Sequence, residues 1–189
     1  MKQTITLLVS SFLVGIFFAS SVTAQTPSLA PATEQATQEA VTEEKEEYLL
    51  PYPGILPDHP LYFLKALRDR ILEALIVDPL RKSEFYLLQA DKRLNMAIFF
   101  GNRGADSQVA QSVTIAEQFM ERTVQRLVAF KNAGSQVPAS LVDRLEKSMA
   151  KHSEVLENMA ANAAEGQRQV YTNALEKVRG LLGEVGKLK

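Results

Sequence analysis

Few side chains in these 189 residues have the type and spacing that chemistry needs. There are two histidines, His59 in a proline-rich stretch and His152 between Met149 and Leu156. Metal centres in helical bundles use Glu-x-x-His pairs on facing helices. Leu56 stands three residues before His59 and Met149 three before His152, so that pattern is missing at both. The absence of cysteine removes the thiolate ligands of structural zinc. Both histidines are therefore read as structural. Glu117 and Glu121 lie one helical turn apart, a spacing that suits a hard cation, but Arg122 and Arg126 offer ordinary ion pairs. Glu154 and Glu157 lie beside Lys151. Both acidic pairs are expected on solvated faces.

General acid–base catalysis needs two groups in different environments converging on one pocket. The sequence gives no sign of such convergence and carries no Gly-x-Ser-x-Gly elbow. "GNRGADS", residues 101–107, has two glycines ahead of a helix, but not at the spacing of a phosphate-binding loop, and reads as a helix–helix turn. No catalytic, cofactor-binding or metal-binding residue is assigned, no cofactor is expected, and the chain is not expected to be an enzyme.

What remains is a surface. Leu49, Leu50, Tyr52 and Ile55 belong to "YLLPYPGILPDHP", residues 48–60, where four prolines stiffen an apolar strap. Tyr62, Lys65 and Arg68 follow at the start of a helix. A tyrosine packs its ring while its hydroxyl stays wet, and two cations on adjacent turns suit an anionic group. These seven residues form the candidate interaction surface. The simpler expectation for Lys65 is an i,i+4 pair with Asp69.

The elements that must position this surface follow from composition and periodicity. Lys2, an apolar run from Ile5 and the small residues Val22 and Ala24 read as an export signal over 1–24, cut before Gln25. If uncut, Ile5–Val22 would tether the chain to a membrane, although a spanning helix needs about 20 apolar residues. Residues 25–47 carry six glutamates against Lys45, a charge of −5, with Leu29 and Val41 as their only large aliphatic groups. They are expected to form a disordered acidic spacer. From Tyr48 onward, 16 acids face 19 bases, and a net +3 is too weakly basic to argue for nucleic acid. Without disulfides, stability must come from packing.

Residues 61–189 read as helices. Asp58 is the expected N-cap of the first, with Pro60 in its first turn and Leu61, Leu64, Leu67, Ile71, Leu72 and Leu75 as the apolar stripe opposite Lys65, Arg68, Asp69 and Arg70. Asp78-Pro79 opens a second helix running to Phe100, stopped by Gly101 and Gly104. A third follows Asp106 and stops at Gly134, and Pro138 opens a fourth. Gly166 is expected to weaken or break that helix before a fifth, which frays over 183–189. Long helices with short turns predict an all-α fold, an elongated up-down bundle of four to five helices behind the signal and spacer.

"LPDHPLYFLKALRDRI" and "DPLRKSEFYLLQADKRLNMA" resemble a bacterial domain-of-unknown-function family, number 5667, over about residues 54–130. The resemblance rests on Leu56-Pro57-Asp58, Pro60-Leu61-Tyr62, Leu64 and Lys65, then Ala90 and Arg93-Leu94. The chain has His59 where a small polar residue is more usual and Asn95 where an acid is common. The resemblance implies an extracytoplasmic helical domain and brings no activity. The function expected is an exported, non-enzymatic interaction or structural module of the cell envelope with a protein or envelope partner. A metal- or stress-sensing helical hairpin and a lipid-binding bundle are the alternatives.

Overall fold

The computed structural model describes residues 47–189; the expected signal peptide, and all of the expected spacer except Glu47, lie outside them. Among the described residues there are five helices and no strand: α1 (Tyr62–Leu75), α2 (Pro79–Gly101), α3 (Asp106–Asn132), α4 (Ala139–Asn162) and α5 (Glu165–Gly186). The expected all-α bundle is what forms.

The start and stop signals act through local chemistry. Asp78 Oδ1 accepts the Arg81 N–H at 2.7 Å, and Pro79 fills a first-turn position whose N–H would be unpaired anyway. Gly104 (φ 67°) and Gly134 (φ 84°) take the left-handed conformation that turns the chain after α2 and α3.

Three boundaries differ from expectation. Asp58 does not cap α1. It pairs with Arg103 at 3.2 Å, while turns over 56–62 delay the helix and His59 Nδ1 accepts the Leu61 N–H at 3.1 Å. The α4–α5 break falls at Ala163 and Ala164, both extended, and Gly166 sits inside the first turn of α5. Arg168 makes that corner by donating to the Ala160 and Ala163 carbonyls at 3.3 and 3.2 Å. The end of α5 does not fray. Val185 and Leu188 are buried, and Lys131 Nζ donates to the Lys187 and Lys189 carbonyls at 2.7 and 2.6 Å.

Helices α2 to α5 form a ring in the order α2, α3, α5, α4, with α2 against α4 the loosest side. Apolar stripes from all four helices fill its centre. Leu87, Ala90, Leu94 and Ala97 of α2 are buried with Val113, Met120 and Leu127 of α3. Leu145, Met149 and Leu156 of α4 and Leu175 and Val178 of α5 complete the core. Leu182 of α5 is exposed.

Helix α1 stands apart from this ring, and its apolar stripe faces away from it. Leu61, Leu64, Leu67, Ile71, Leu72 and Leu75 are all exposed, and Lys65 is the only buried residue of the helix. That reverses the expectation. The two faces should therefore respond differently to truncation. Leu94→Ala in α2 should cost about 2–5 kcal/mol, whereas Leu67→Ala in α1 should change stability by no more than about 0.5 kcal/mol. Urea denaturation of both variants checks this, and a large loss from Leu67→Ala would mean that the outward face is packed.

Candidate interaction surface

The inward side of α1 is polar because polar partners wait there. Lys65 Nζ donates to the Pro53 and Ile55 carbonyls of the strap. The Lys65 ammonium and the Arg93 guanidinium lie 5.7 and 5.8 Å from the Tyr62 ring centroid, within cation–π range. Glu73 accepts from the Tyr86 hydroxyl at 2.9 Å and lies 3.8 Å from Arg122. Asp69 takes Arg68 through two donors at 3.0 and 2.7 Å, so the expected Lys65–Asp69 pair gives way to Arg68–Asp69. Burial pushes the Lys65 ammonium down to about 8, and repulsion from Arg93 adds to this.

The outward side of α1 is left with apolar groups. Phe63 is 61 % exposed, Leu67 54 % and Leu75 70 %, and Val77 just beyond the helix is 85 % exposed. Each buried Å² of such surface would return roughly 25 cal/mol. Contiguous exposed apolar groups are uncommon on the surfaces of folded domains.

The strap adjoins this face at one end. Tyr52, Ile55, Leu64, Lys65, Arg68 and Lys92 line one cleft of about 400 Å³ together with Pro53 and Gly54. Of the seven expected surface residues, Leu49, Tyr52, Ile55 and Arg68 are exposed. Three are not. Leu50 is half-buried against the core because the Asn95 amide donates to the carbonyls of Leu50 (3.3 Å) and Pro51 (2.9 Å) and draws the strap inward. Lys65 is buried by its carbonyl acceptors, and Tyr62 is half-buried near two cations. An acid in place of Asn95 would have no donor for those carbonyls. Tyr52 meets Phe99 edge-on at 5.9 Å, so the apolar end of α2 is partly roofed by the strap.

Behind the strap lies a group of charges that the sequence did not bring together. His152 is fully buried. Its Nδ1 is 3.0 Å from Glu117 Oε1 and its Nε2 3.2 Å from Asp91 Oδ1. Ionised carboxylates only accept, so with both acids charged each ring nitrogen donates and the ring is an imidazolium. Ser148 donates to Asp91 Oδ1 and Tyr48 to Asp91 Oδ2, each at 2.6 Å. Residues of α2, α3, α4 and the strap thus share one network. Glu117, expected on a solvated face, is buried, whereas its neighbour Glu121 pairs with Lys177 at 2.5 Å. The two carboxylates meet opposite nitrogens of the ring, so they do not converge on a common point with it. Among the described residues no group of three His, Asp or Glu side chains is placed to hold a metal ion.

Burial alone would lower the His152 pKa, but the hydrogen bonds and charges of Asp91 and Glu117 outweigh it and hold the imidazolium up to about 9. The Tyr48 hydroxyl is raised by burial and by its bond to Asp91. The sequence signal for the cluster was the place of His152 on the inner seam of α4; its partners are distant in the chain.

Because the folded His152 pKa lies above the unfolded value of about 6.5, its contribution is complete below about pH 6.5. It is lost as pH rises through about 9, and is on the order of 3 kcal/mol in all. Lys65, depressed to about 8, acts in the opposite sense above that pH. Denaturation midpoints should therefore fall most cleanly between about pH 6.5 and 8. His152→Ala should remove that slope and cost about 3–5 kcal/mol by leaving two carboxylates unpaired. A midpoint flat across this range in the unsubstituted protein would contradict the buried imidazolium.

The family described as "Domain of unknown function (DUF5667)" matches residues 54–180. The match reaches past α3 through α4 and into α5, well beyond the stretch that carried the resemblance. No curated protein and no solved structure matches the chain. With the shared region running from the strap to α5, the chain belongs to the DUF5667 family.

Proposed function

We propose that this chain is an exported, non-enzymatic interaction module of the bacterial cell envelope. Its contact surface is the outward face of α1 together with the exposed strap residues Leu49, Tyr52 and Ile55. The observation that carries the reading is the inversion of α1, a helix held by its polar side with its leucines and isoleucine in solvent. The apolar run from Ile5 and the Val22-Thr23-Ala24 ending support export.

The strap part of the surface has a firm base. Asn95, Lys65 and Tyr48 fix the strap backbone to α2, α1 and the buried cluster, so its exposed side chains stand on an ordered support. Preorganised apolar groups on such a support lose little freedom on binding.

The reading is tested by a photocrosslinking side chain placed at Leu67 or Tyr52 in cells. Adducts to envelope components are expected from both positions and not from Glu176, on the exposed side of α5. A fourfold substitution, Leu64, Leu67, Ile71 and Leu75 to serine, should abolish the adduct at Tyr52 and leave the melting temperature within a few degrees. A steep loss of thermal stability would make the α1 face part of the protein's own packing and overturn the reading.

A further inference from the structure

We infer that the outward face of α1 lies on an anionic bilayer surface as an interfacial helix. The inference rests on the reading of this face as the contact surface and names what it contacts.

The arrangement of side chains around the helix is the first argument. At about 100° per residue, Phe63, Leu64, Leu67, Ile71 and Leu75 fall within an arc of roughly 120° centred opposite the bundle. Arg70 lies at one edge of that arc and Arg68 at the other. Long cationic side chains at the borders of an apolar face can keep their heads at the phosphate level while their stems lie along the acyl region. Both acids of α1, Asp69 and Glu73, are on the inward side, bound to Arg68 and to Tyr86 respectively. The outward face therefore presents apolar groups bordered by two arginines, of which Arg68 is held by Asp69 and Arg70 lines a cleft with Asp69 and Glu73.

The cleft beside Leu64 supplies the second argument. Lys65, Arg68 and Lys92 line it, with Lys65 held by the Pro53 and Ile55 carbonyls and Arg68 by Asp69. Apolar lining from Tyr52, Ile55 and Leu64 adjoins these three cations, which is the pairing that an anionic headgroup and the top of its acyl chain present together. The dimensions agree with a helix lying flat. Fourteen residues make about 21 Å of helix, too short to span a bilayer. Among the described residues no helix is long and apolar enough to cross one.

A second copy of the chain fits the face less well. A two-fold contact must be self-complementary. Pairing two α1 helices would bring Arg68 and Arg70 of each copy to a shared seam with no outward acid from either.

The chain contains no tryptophan, so Phe63→Trp places a single fluorescent reporter on the exposed face. The protein as recovered from its host is mixed with vesicles of phosphatidylglycerol or of phosphatidylcholine. On phosphatidylglycerol, the indole emission should shift to the blue and be quenched by lipids brominated on the acyl chain. Binding to phosphatidylcholine should be weaker by about thirtyfold or more. Arg68→Gln with Arg70→Gln should reduce phosphatidylglycerol binding by about thirtyfold, on the scale set for two interfacial cations. Leu67→Glu should abolish the quenching, with circular dichroism confirming that the bundle is intact.

Vesicle binding with the indole unquenched would mean that another segment makes the contact, and would overturn the inference. A blue shift that depends on protein concentration without lipid would assign the face to a second copy and also overturn it. Crosslinks from position 63 to an envelope protein, without lipid quenching, would overturn the bilayer as occupant and leave the contact-surface reading standing. Water-exposed emission from the reporter in intact envelopes would remove both.

Discussion

The placement of one positive charge organises this domain. His152 sits at the centre of the bundle with a carboxylate on each ring nitrogen, and those carboxylates come from two other helices. An unpaired ion at that depth would be strongly unfavourable, so the three side chains are compatible with burial only together. Their mutual need fixes the azimuth of α2, α3 and α4 more strictly than interchangeable leucines would. Tyr48 and Ser148 take remaining acceptor sites on Asp91, which extends the same constraint to the start of the strap.

From that anchor the strap is laid down as a series of backbone acceptors. Asn95 takes two of its carbonyls and Lys65 takes two more. The second set decides the orientation of α1. Once Lys65 is drawn under the strap and Glu73 is drawn to Tyr86, rotation of the helix is no longer free, and its leucines must point outward. The bundle closes without α1: its four helices already share a continuous core. Two kinds of packing therefore coexist in one small domain, apolar within the ring and polar between the ring and its first helix.

The legible and illegible parts of this design divide along physical lines. Caps and stops are local, and Asp78-Pro79, Gly104 and Gly134 act where their residue types say they should. Apolar periodicity marked α1 as a helix but not the direction its stripe faces. It failed on direction because a hydrophobic stripe reports which side of a helix avoids water, not whether this chain supplies the cover. Asp58 misled for a similar reason: a good capping residue was taken by Arg103, 45 positions away. The strap was recognised from its prolines, and four of the seven assigned surface residues are exposed; Lys65 and Tyr62 were misplaced because their partners are backbone oxygens and a distant arginine. Glu117 looked like a surface acid beside two arginines, and only the fold reveals that it faces a histidine 35 residues on.

The attachment of α1 sets a hierarchy of cooperativity. Helix α1 has no side-chain cap at its start, no acid in its first turn and no apolar seal against the ring. A helix of its length is marginal in water by itself. Its hold on the domain is a handful of hydrogen bonds and ring contacts, each worth about a kcal/mol or less. Amide exchange in α1 should thus proceed by sub-global opening while α2–α5 remain closed. Whatever covers the leucines would also lengthen the lifetime of the helix, so occupancy and folding of this element are thermodynamically linked.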